Sequence, residues 1–85
     1  MFYVYVLKLS NNSQLYIGFT NDLRRRFKEH QEKQSLYTRS RGPVKLVYYE
    51  AYLSESEARK REKVLKQFKG SYGHLKRRIK ESIAS

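Results

Sequence analysis

The chain opens on a segment whose composition dictates sheet. Residues 2–9 are rich in Tyr and Val, Ser10-Asn11-Asn12-Ser13 supplies four turn formers, and residues 14–19 return to strand-like character. β-Branched and aromatic side chains suit a pleated surface, and a polar break between two such runs reads as a β-hairpin. Side chains alternate along a strand, so Leu15, Ile17 and Phe19 share one face while Tyr16 and Gly18 share the other. Tyr16 is thus expected on the less apolar face.

The rest of the chain alternates helix and strand signals. Thr20 or Asn21 can cap a helix that opens with Asp22 and runs to about Lys33, with Leu23 and Phe27 as its buried pair. Ser35 to Pro43 reads as a polar, basic loop, and a third strand follows over about Val44 to Leu53. Ser54-Glu55-Ser56-Glu57 is a capping box that starts a second helix through Ala58, Leu65 and Phe68, stopped by Gly70. After Gly73 a last helix, roughly His74 to Ile83, carries the stripe Leu75, Ile79, Ile83. The fold class is α+β in the order ββαβαα. At 85 residues the whole chain, 1–85, is expected to be one domain, burying only about 60 to 65 % of its unfolded surface.

Composition excludes several kinds of chemistry. The absence of Cys removes disulfides and thiolate metal sites, and with only His30 and His74 a four-ligand zinc site would have to lean on carboxylates. A hard, oxygen-ligated cation fits better. The longest apolar run, Phe2 to Leu7, is far short of the roughly 20 residues of a membrane helix, and no basic segment precedes it, so a soluble, cytoplasmic protein is expected. Nineteen basic against 8 acidic residues give a net charge of +11, which draws in a polyanion by long-range attraction and counterion release. Nucleic acid is the first expectation. Anionic membrane is the rival, but the short Leu75, Ile79, Ile83 stripe is more simply core than a lipid-dipping face.

Against this background a few polar residues stand out. Arg26 and His30 are an i, i+4 pair and share a helix face, beside the apolar Leu23 and Phe27 where the helix meets the sheet. They can converge on the Tyr16 side, which gathers a phenol, a guanidinium and an imidazole, groups suited to cutting a phosphodiester. Glu62 is the sole acid between Arg59 and Lys80, among ten basic residues, and its spacing from Ala58 and Leu65 turns it inward. An inward carboxylate needs a cation, supplied by a neighbouring Arg or Lys or by a divalent metal.

The order of these elements resembles the GIY-YIG nuclease superfamily. The residues that carry the likeness are Tyr3-Val4-Tyr5, ten residues on Tyr16-Ile17-Gly18, then Asp22-Leu23-Arg24-Arg25-Arg26 with His30, then Glu57-Ala58 with Glu62, Leu65 and Lys66. Five separately spaced elements in the right order are far more specific than any one three-letter motif. The likeness is greater to the small single-domain bacterial members than to the homing endonucleases or the excision-repair incision subunit, which carry extra domains. It implies a small three-stranded, mostly antiparallel sheet flanked by helices, and metal-dependent hydrolysis of nucleic acid, DNA before RNA. It also implies roles: Tyr5 to activate water, Tyr16 to orient water or phosphate, Arg26 to hold the scissile phosphate, His30 as a further catalytic position, and Glu62 to bind one divalent cation, Mg²⁺ or Mn²⁺. No small-molecule cofactor and no membrane partner are implied, a protein partner is open, and a monomer or weak dimer is expected. Two positions depart from the pattern: Tyr3 replaces the glycine of the first half-motif, and no Asn follows Asn21, where many members carry one near the end of the domain.

Plainer readings stand beside these. Tyr5 and Tyr16 belong to a set of eight tyrosines that mostly suit strand packing. Glu62 has Lys66 at i+4 and Arg59 at i−3 as ready partners, each pair worth a few tenths of a kcal/mol. Gly18 marks a close backbone approach, by another strand or by substrate. Tyr37, Arg39 and Arg41 offer backbone or base contacts on the loop, or simply a solvated basic segment. A nucleic-acid-binding module that keeps the fold without catalysis is the alternative to a nuclease.

Overall fold

Strands β1 (Phe2–Leu9), β2 (Leu15–Thr20) and β3 (Val44–Tyr52) form an antiparallel sheet ordered β2-β1-β3 in the computed structural model, which describes residues 1–10, 14–32 and 43–85. The central place of β1 explains the unbroken apolar run that begins the chain. Val4, Tyr5, Val6, Leu7 and Leu9 are all buried, because both faces of the middle strand are covered. Leu9 N–H donates to the Gln14 carbonyl at 2.8 Å and closes the hairpin.

Helix α1 (Leu23–Gln31) lies on the Tyr5 face, while α2 (Glu55–Gln67), α3 (Lys69–Arg78) and the short α4 (Lys80–Ala84) follow β3. Val4, Val6 and Ile17 on the opposite face pack against Ala58, Leu65, Leu75 and Ile79 as one apolar cluster, with Ile83 partly buried at its edge. The Leu75, Ile79, Ile83 stripe is therefore core. A register shift between Val6 and Leu7 lets β3 insert Val47, so that Leu46 pairs with Leu7 and Tyr48 with Val6.

Several boundaries differ from the sequence reading. Asp22, rather than Thr20 or Asn21, is the N-cap of α1, accepting the Arg25 N–H at 3.1 Å. Thr20 acts one step earlier: its hydroxyl accepts the Asp22 N–H at 3.0 Å and shapes the turn into the helix. Leu23 and Phe27 are only half-buried, and the fully buried residue of α1 is His30, which is 1 % exposed. Ser54 caps α2 as expected, accepting the Glu57 N–H at 3.3 Å. Gly70 does not stop that helix. The break is at Phe68, whose extended backbone (φ −113°, ψ 110°) ends α2 and starts α3, so Gly70 and Gly73 are ordinary helical positions facing open space. The expected last helix is divided at Ile79 into α3 and α4. Tyr37, Arg39 and Arg41 lie outside the described residues.

Candidate active site

Tyr5 occupies the middle of β1, directly across from Gly18 on β2. A Cβ at Gly18 would overlap the Tyr5 phenol, so glycine is what lets the ring lie across the neighbouring strand. Of the two close approaches open to Gly18 from the sequence, the structure shows a strand neighbour. Tyr16, two residues earlier on the same face of β2, brings its ring centroid to 6.3 Å from that of Tyr5. From α1 the His30 ring meets both edge-on, at 5.8 Å from Tyr5 and 5.2 Å from Tyr16.

The Tyr5 hydroxyl and His30 Nε2 are 3.0 Å apart in a buried hydrogen bond. Arg26, one turn before His30, is near enough for its positive charge to favour the ionised form of the same hydroxyl. In the tautomer that carries its proton on Nδ1, Nε2 accepts the Tyr5 hydroxyl proton and the lone pairs of the phenol oxygen are left open to other donors. Burial pushes the Tyr5 hydroxyl up to about 12 despite Arg26, and the nearby Tyr16 and Glu62 add to the rise. Burial first, and then the Arg26 charge, push His30 down to about 4, only partly offset by Glu29. At neutral pH the pair is thus a protonated phenol hydrogen-bonded to a neutral imidazole.

Two carboxylates hold the charges in place. Glu29 accepts from Arg26 Nη1 at 2.9 Å and lies 3.4 Å from Arg25. Burial disfavours the Arg26 cation, but its hydrogen bond to Glu29 and the neighbouring Tyr5 outweigh that and raise its pKa, while the Arg26 hydrogen bond holds the Glu29 carboxyl below its usual range. On the other side of β2, Glu62 has a side chain only 20 % exposed and pairs with Lys66 at 2.9 Å, and the Lys66 ammonium lies 6.0 Å from the Tyr16 ring centre. In this structure the cation beside Glu62 is the Lys66 ammonium.

The structure therefore gathers Tyr5, Tyr16, Arg26 and His30, with Glu62 near enough for its charge to act on Tyr5. His74 is elsewhere, lining a separate cleft with Arg61, Ser71, Arg77 and Arg78. Sequence reasoning missed Glu29, whose signal was its i+3 spacing from Arg26. It gave Lys66 no role beyond a surface pair.

This arrangement, a phenol bonded to an imidazole with a guanidinium nearby, sits within a chain whose residues 1–79 match the family described as the GIY-YIG catalytic domain. The chain belongs to the GIY-YIG family. It is similar to a protein named UPF0213 in Clostridium perfringens, 48 % identical over 68 residues that span 79 % of this chain and 72 % of the other. A UPF0213 protein of Bacillus velezensis is 43 % identical over 86 residues, 95 % of this chain and 86 % of that one. The solution NMR structure of a UPF0213 protein from Bacillus halodurans, 38 % identical, superposes with a TM-score of 0.50 over 99 % of this chain and 83 % of that one. Tyr5 on β1 and Tyr16 on β2 are the tyrosines on which the sequence likeness to this family rests. No helix among the described residues is long and apolar enough to cross a membrane.

Proposed function

We propose that this GIY-YIG protein is a metal-dependent endonuclease that hydrolyses phosphodiester bonds in DNA. The observation that carries the proposal is the buried hydrogen bond between the Tyr5 hydroxyl and His30 Nε2, with the Arg26 cation near enough to act on the phenol. A phenol so placed takes a proton from an attacking water on its oxygen while passing its own to the imidazole, a general-base relay. Arg26 is suited to the non-bridging oxygens of the scissile phosphate, where negative charge grows in the transition state. It must exchange Glu29 for the phosphate to do so. Tyr16, half-buried at the rim, orients the same phosphate or the water.

Glu62 fits one hard cation. Its carboxylate already holds a positive group, the Lys66 ammonium, and among the described residues no cluster of three or more His, Asp or Glu offers a closed metal cage. One carboxylate with waters and substrate oxygens is an ordinary set for Mg²⁺ or Mn²⁺. When bound, such an ion supplies Lewis-acid stabilisation of the departing oxygen.

The test is a cleavage screen over plasmid, branched, flapped and single-stranded DNA, with RNA in parallel. Nicking that needs Mg²⁺ or Mn²⁺ and stops with EDTA is expected. Arg26→Ala or Glu62→Ala should lower the rate on the order of 10² or more while binding survives. A wild-type protein that binds DNA yet leaves every substrate intact with either metal would sink the nuclease reading and leave a binding module. Full activity in Glu62→Ala would remove its metal role.

A further inference from the structure

The structure assigns a second phosphate-binding site to the cleft between α2 and α3, on the flank of α2 away from Tyr5; this rests on the nucleic-acid reading above and extends it. The cleft, about 550 Å³, is lined by Arg61, Ser71, His74, Leu75, Arg77 and Arg78. Four of the six side chains carry nitrogen donors, a fifth is a hydroxyl, and none is acidic. Leu75, 2 % exposed, belongs to the core beneath.

What makes this more than a run of solvated cations is its wall. Glu50 on β3 is an inward carboxylate, its side chain 14 % exposed. It accepts from Tyr48 at 2.7 Å, from Tyr52 at 2.6 Å and from Arg61 Nε and Nη2 at 3.0 to 3.2 Å. A bidentate guanidinium held by a carboxylate that is itself held by two phenols has little freedom. Arg61 is therefore a fixed donor at the edge of the cleft, and the Arg78 charge reaches the same cluster through Tyr48. By contrast Arg25, Arg26, Arg59, Arg61 and Lys66 all have carboxylate partners. Among the described residues no ion pair includes Arg77 or Arg78, and Arg77 Nη2 is 3.4 Å from His74 Nδ1. Adjacent unpaired arginines beside a fixed third, with Ser71 and His74 between the helices, suit the oxygens of a phosphodiester backbone.

The placement has a consequence for the substrate. Consecutive residues of α2 serve the two sides: Glu62 pairs with Lys66, which lies by the Tyr16 ring, and Arg61 reaches β3. A helix is about 10–12 Å across with its side chains, so one nucleic acid must present backbone on both flanks of α2 to engage both sites. A duplex or branched substrate does this more readily than a lone short strand.

Binding of a short fluorescein-labelled DNA duplex, without divalent metal and over a salt series, tests the assignment. Arg77→Gln/Arg78→Gln, which keeps helix propensity, should weaken binding about 10-fold or more and reduce the salt slope by roughly 1 to 2, since each phosphate left unneutralised lowers that slope by about 0.9. His74→Glu should weaken binding in the same direction. Lys28→Ala/Lys63→Ala, which removes the same charge at exposed sites outside the cleft, should change much less. In cleavage the arginine variant should raise KM and leave kcat near wild type. Equal effects of the two double variants would overturn the site, leaving only net charge. Unchanged DNA binding, or a defect confined to anionic lipid vesicles, would overturn it too. A wild-type protein that binds no nucleic acid would overturn both this site and the nuclease reading, whereas wild-type binding that both cleft variants keep would overturn this site alone.

Discussion

His30 ties stability to pH in a window where carboxylates contribute little. Burial and then the Arg26 charge take its pKa from 6.5 down to about 4, and the ring is 1 % exposed. An unfolded chain protonates this ring near its ordinary value, so between those two limits the unfolded state binds more protons than the folded one. The stabilisation from the neutral ring is complete above the unfolded value and is lost as pH falls through the window. The displacement sets a ceiling of about 3 kcal/mol, of which about 2 kcal/mol is lost between neutral pH and about pH 4.5. For a chain of this size that lowers Tm by about 8 to 16 °C. Urea unfolding across this range measures it, with His30→Gln as the comparison. The Gln variant should start less stable and show a nearly flat profile. The carboxyls held low, Glu29 by its Arg26 hydrogen bond and Glu50 by Arg61, Tyr52 and Tyr48 against the opposing effect of burial, lose their contribution at lower pH. A flat wild-type profile, or an equal slope in His30→Gln, would refute the buried neutral imidazole.

Two further perturbations probe the packing behind the sites. Gly18→Ala drives a methyl into the Tyr5 ring and should cost about 1 to 3 kcal/mol by overpacking, plus about 1 kcal/mol if the His30 bond opens. In a Tyr5→Leu background the same change should cost at least about 1 kcal/mol less, and equal costs in a double-mutant cycle would show that the ring is not the obstacle. Glu50→Gln keeps the shape but removes the charge that holds Arg61, and should cost about 1 to 3 kcal/mol in chemical unfolding at neutral pH. A neutral outcome would mean that the pair behaves as a solvated contact.

Where periodicity and capping act locally, the sequence was legible. The hairpin, the Ser54 cap and the Leu75, Ile79, Ile83 stripe all follow from spacing, and the structure realises each of them. His30 was not legible as a buried residue, because an imidazole on a basic helix ordinarily faces water and its burial depends on a phenol donated by a strand 25 positions earlier. The helix break at Phe68 was missed for a related reason. Glycine is a frequent helix stop, but here the extended backbone of an exposed aromatic makes the turn. Glu50 carried a signal that alternation could have supplied: Tyr48, Glu50 and Tyr52 fall on one strand face, so a carboxylate there had to find a partner. That the partner is Arg61, on a helix with several other cations, needed the register of α2 on the sheet.

Under the proposed nuclease reading, the resting charges of the cluster bear on which group would first take the proton of water. A phenol at about 12 is ionised in only about one molecule per 10⁵ at neutral pH, so a preformed Tyr5 phenolate is a scarce base. The neutral His30 ring, in contrast, is almost always available. An approaching phosphate adds negative charge beside both groups, which makes the phenolate scarcer and the imidazolium easier to form. It also competes with Glu29 for Arg26, the cation that now depresses His30. Each effect moves the proton the same way, from water to Tyr5 oxygen and from Tyr5 to Nε2. In the proposed mechanism substrate binding thus makes the imidazole a stronger base without the phenol standing ionised in the free protein, and the proton that rests on Tyr5 passes to His30 only as water gives up its own.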